Sequence, residues 1–71
     1  MIMKVYSVLG AIPYEVDELS IMIDDLLAIF GSYEEAAEFI TQQRPQRYYE
    51  NYAIVMSELG QAVDVSTADW I

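Results

Sequence analysis

The segment Tyr33–Gln43 limits the fold more than any other part of the chain. At about 100° per residue, Glu34, Glu35 and Glu38 share one side of a helix. Tyr33, Ala36, Ala37, Phe39 and Ile40 take the opposite side. Ser32 stands three residues before Glu35, the spacing of a capping box, and the glutamates sit where the helix dipole favours anions. Arg44 and Pro45 close the segment, one as a cation at the negative end and the other as a helix breaker. A helix of about eleven residues does not persist alone in water, so its apolar side needs a surface to pack on.

The flanking sequence supplies that surface. Ile2–Leu9 (IMKVYSVL), Ile21–Phe30 (IMIDDLLAIF) and Tyr52–Leu59 (YAIVMSEL) are rich in β-branched and aromatic residues, which predicts strands. The expected fold is α+β: a small antiparallel sheet of three or four strands with one amphipathic helix packed on it. Gly10 to Pro13 carries turn chemistry, and Glu15 to Ile23 suits either a helix or a strand. The unbroken apolar run after Asp24-Asp25 suits a central strand. Ala62–Val65 is expected as a short edge strand, with Trp70 folding back over the core. An all-α three-helix domain is the alternative. Val16, Leu19, Ile23, Leu26 and Phe30 recur at spacings of 3 and 4, as do Tyr48, Tyr52, Val55 and Leu59.

With 71 residues the expectation is a single domain, residues 1–71, that buries about 60% of its unfolded surface. No cysteine or histidine is present, which removes disulfides and the usual structural zinc ligands. The 55% apolar content supports a packed core over disorder. Charge is lopsided: twelve acids face Lys4, Arg44 and Arg47, for a net −9. Glu15, Asp17, Glu18, Asp24, Asp25, Glu34, Glu35 and Glu38 fall in a stretch without a single base. Such a field repels nucleic acid and attracts basic surfaces. The longest charge-free stretch, Val5 to Tyr14, is half the ~20 residues a membrane helix needs. No signal-peptide pattern opens the chain, so a cytoplasmic protein that leaves membranes alone is expected.

Imidazole and thiol chemistry are unavailable, and Asp24-Asp25 on a strand would face opposite sides. The spaced aspartates and glycine of a calcium loop are absent too. No enzyme activity, metal or cofactor is therefore expected. Arg44 and Arg47 with Tyr48, Tyr49 and Tyr52 form the one basic–aromatic cluster, suited to packing on the sheet or to a protein interface.

The segments KVYSVLG, LLAIFGSYEEAAEFI and YENYAIVMSEL resemble small single-domain proteins of unknown function from phages and their bacterial hosts. Tyr14 to Ile21 is an acidic insertion relative to that pattern. The resemblance implies an α+β fold in a mobile-element setting and carries no catalytic residue. In size and charge the chain is also similar in type to acidic phage proteins that inhibit CRISPR or restriction complexes. Duplex DNA bears one charge per ~1.7 Å of axis, so a protein imitating it needs dense acids and few bases. The expectation is a nucleic-acid mimic whose eight clustered acids contact a basic nucleic-acid-binding complex of the host, without binding nucleic acid directly. The alternative is an accessory domain that binds a protein partner or self-associates through Arg47, Tyr48, Tyr49 and Tyr52. Monomer and dimer both remain open.

Overall fold

The computed structural model of the chain describes residues 3–16 and 19–71. Strands β1 (Lys4–Val16), β2 (Leu19–Phe30), β3 (Asn51–Glu58) and β4 (Asp69–Trp70) form one antiparallel sheet in the order β2-β1-β3-β4. Helix α1 (Tyr33–Gln43) packs on one face. This is the expected α+β architecture, and the three-helix alternative is overturned.

Helix α1 has the boundaries its local chemistry predicts. Ser32 has extended backbone angles, and its hydroxyl accepts from the Glu35 N–H at 3.2 Å. Ala36 and Ile40 are buried while Glu34 and Glu38 are exposed, so the amphipathic orientation is as expected. They join Val8, Tyr52 and Ile54 in the main core, flanked by Tyr6, Leu27, Phe30, Phe39 and Tyr49. The far face holds a smaller cluster of Leu9, Ala53 and Val55, covered in part by Ala68.

Three expectations need correction and one open alternative is decided. First, no turn forms at Gly10 to Pro13, because β1 runs straight through it. Gly10 is there for close approach: a Cβ at this position would meet Cγ of Tyr49 at 2.6 Å, so the bare backbone is what the ring lies against. Pro13 is tolerated because β3 pairs with β1 only as far as Ala11↔Asn51, leaving one flank of β1 free of ladder bonds beyond it. Second, the apolar run Leu26–Phe30 lies in an edge strand and not a central one. A bulge explains its lack of alternation: Val8 pairs with Ala28 but Leu9 pairs with Leu26, which leaves Leu27 as the extra residue. Leu27 packs into the helix-side core, whereas Leu26 and Ile29 are 57% and 56% exposed.

Third, the choice between helix and strand at Glu15 to Ile23 falls to strand in the described part, where Val16 pairs with Leu19 and Tyr14 with Ile21. Since β3 ends its pairing at Ala11, residues 12–16 of β1 and 19–23 of β2 extend beyond it as a two-stranded ribbon, and the molecule spans 49 Å along its longest axis. Fourth, the last edge strand forms at Asp69–Trp70, not at Ala62–Val65. The Asp64 carboxylate accepts from the Ser66 N–H at 3.1 Å and the Ser66 hydroxyl at 2.6 Å, which ties that stretch into a short 3-10 turn instead. Trp70 does return to the sheet, opposite Ala53, but stays 47% exposed at its rim.

Candidate acidic binding surface

The three glutamates of α1 lie on its solvent side because Ala36 and Ile40 take the opposite side into the core. Glu35 and Glu38 line a shallow groove of about 360 Å³ together with Phe30, Phe39 and Gln42. Phe30 and Phe39 form its aromatic wall, with ring centroids 5.4 Å apart and planes tilted by 49°. Positions 35, 38, 39 and 42 are one helical stripe at i, i+3, i+4 and i+7, a signal present in the sequence that reasoning from charge alone passes over. Phe30 belongs to β2 and joins the stripe only through the tertiary fold.

Asp24 and Asp25 are both exposed and occupy opposite faces of β2, paired with Ala11 and Gly10 of β1. Asp25 is held in place by the Tyr49 hydroxyl, which donates to its carboxylate at 2.9 Å. That bond pushes the Tyr49 pKa up, with partial burial and the carboxylate charge adding to it. Tyr33 is raised in the same way by donating to Asp69 at 2.9 Å. The Asp64 carboxyl is lowered by its two bonds from Ser66. Of the eight acids singled out in the sequence, the structure brings Glu35 and Glu38 into one groove with Glu34 on the same helix. Asp24 and Asp25 stand on a separate element. Asp17 and Glu18 lie outside the described residues, as does the side chain of Glu15.

The basic–aromatic cluster is only partly a surface. Arg44, Arg47, Tyr49, Glu50 and Tyr52 line a second pocket of about 390 Å³. Tyr52, expected among the interface residues, is 1% exposed and belongs to the core. Its ring lies under the Arg44 guanidinium, 5.6 Å from the centroid, and Tyr49 meets it edge-on at 6.0 Å. Arg44 also donates to the Ile71 carbonyl at 3.1 Å. Arg47 adopts a left-handed φ of 57°, closing the turn with its N–H on the Arg44 carbonyl. Tyr48, 66% exposed, is the surface-facing member of the tyrosine group.

Among the described residues no group of three or more acids converges to hold a metal ion. No helix among them is long and apolar enough to cross a membrane. No protein family, no curated protein and no solved structure matches the chain.

Proposed function

We propose that this chain is a non-enzymatic anionic binding protein that occupies a basic nucleic-acid-binding surface in place of phosphates. Its proposed setting joins the phage or mobile element that its sequence resemblance implies to the target its size and charge suggest by analogy, a host defence complex of the CRISPR or restriction type. The observation that carries the reading is the outer side of α1: Glu34, Glu35 and Glu38 are all exposed, on a helix anchored through Ala36 and Ile40. A rigid row of carboxylates beside the Phe30–Phe39 wall suits an arginine or lysine side chain, whose stem and cationic face pack on aromatic rings while its charge meets Glu35 and Glu38.

Capture of partners from a bacterial lysate on the immobilised protein, at low and then high salt, tests this reading. A mimic retains a basic nucleic-acid-binding partner, loses it as salt rises and competes with DNA or RNA for it. Retention of a partner that keeps its nucleic acid bound contradicts it. A second reading, a protein contact through Arg47, Tyr48 and Tyr49, is favoured by the exposure of Tyr48. In that case Tyr48→Ala releases the partner and salt has little influence.

A further inference from the structure

The two edges of the sheet are finished differently. On one side the sheet ends in β4, only two residues long. On the other it ends in β2, twelve residues long, and among the described residues β1 is its sole neighbour and the outward N–H and C=O groups of β2 have no partner strand. Open edges template the addition of another strand, and proteins blunt them with short strands, lysine, proline or bulges. β2 contains neither lysine nor proline. Its bulge at Leu27 interrupts the ladder late, which leaves Leu19 to Leu26 as a regular edge. Leu26, more than half exposed, adds apolar surface beside that edge.

We infer that the β2 edge is a strand-addition site for an extended, cationic segment of a protein partner. Charge selects the occupant. Asp24 and Asp25 project to opposite faces near the end of the regular stretch, so an added strand meets a carboxylate whichever way its own side chains alternate. Directly opposed unlike charges stabilise a strand pair and unmatched or like charges oppose it. A second copy of this chain is a poor occupant. Its β2 carries no lysine or arginine to offer either aspartate in any register, and each copy brings a net −9. The edge thus rejects copies of itself and accepts strands with lysine or arginine at alternate positions. This inference stands on the edge of β2 and is independent of the reading given to the α1 glutamates.

The test uses the full chain and a synthetic peptide of alternating lysine and valine. Two controls accompany it, one with glutamate in place of lysine and one with a central proline. Amide hydrogen exchange read by NMR reports where the peptide binds. The lysine peptide is expected to protect amides within residues 20–26 and to leave those of α1 unchanged, while both controls fail to protect β2. Asp24→Lys, at an exposed position, is expected to weaken the peptide by about tenfold or more. Three results overturn the inference: no protection of β2 amides, equal binding of the proline-interrupted peptide, or β2 protection that grows with concentration of the protein alone.

Discussion

Under α1, the sheet is closed: Val8, Tyr52, Ile54, Ala36 and Ile40 are each 2% exposed or less. Along β2, a few ångströms away on the same sheet, Leu26 and Ile29 remain more than half exposed and two aspartates face water. The first region is specified by burial. In the second, Leu26, Ile29 and Asp24 contribute little to the fold, whereas Asp25 is tied to Tyr49, and the outer side of α1 resembles the former. The difference separates residues that hold the molecule together from residues free to bind something else.

The largest effect expected from this comparison is at Ile40. Ile40→Ala removes a core side chain and should cost ~2–5 kcal/mol, enough to unfold much of so small a domain, whereas Leu26→Ala should cost less than ~0.5 kcal/mol in denaturant titrations. Equal losses would erase the distinction between the regions. Next comes Gly10→Ala, which places a methyl group against the Tyr49 ring and should cost ~1–3 kcal/mol. Combining it with Tyr49→Ala should cost less than the sum of the two single changes, since the pair shares one contact. Simple additivity would remove the steric account of Gly10. Ser32→Ala should cost ~1 kcal/mol through the lost N-cap, read as a lowered melting temperature. Glu38→Ala, on the open side of the same helix, should be nearly silent.

The smallest effect concerns pH. Tyr49 and Tyr33 have raised pKa values in the fold, so their neutral forms are favoured there. Their contribution is fully present below the unfolded tyrosine pKa of about 10 and is lost as pH rises through the folded value. Tyr49→Phe should therefore flatten part of the fall in melting temperature above about pH 10. An unchanged alkaline slope would count against the Tyr49–Asp25 bond.

Helix α1 was legible in the sequence because its signals are local: Ser32, the glutamates, the apolar stripe and Pro45 all lie within one short window. The full length of β1 is hidden because Gly10 looks like punctuation, and only the distant Tyr49 ring reveals its use. The place of β2 is not legible, because the bulge at Leu27 breaks alternation and makes an edge strand look like a buried one. Ala62–Val65 lost its expected strand to the local bonds of Asp64. The acids of the site were plain from charge. Their aromatic companion Phe30 was not, since it reaches Glu35 and Glu38 only when β2 and α1 pack together.

The most direct test of the central claim, that the outer side of α1 binds while its inner side folds, is one competition experiment. The basic partner captured from lysate is loaded with fluorescent nucleic acid, and displacement is measured with the native chain and with E34Q/E35Q/E38Q, whose melting is recorded alongside. The native chain should displace the nucleic acid, and the triple variant should melt within a few degrees of it yet displace about tenfold less well or worse. Displacement by the triple variant at native strength would contradict the claim.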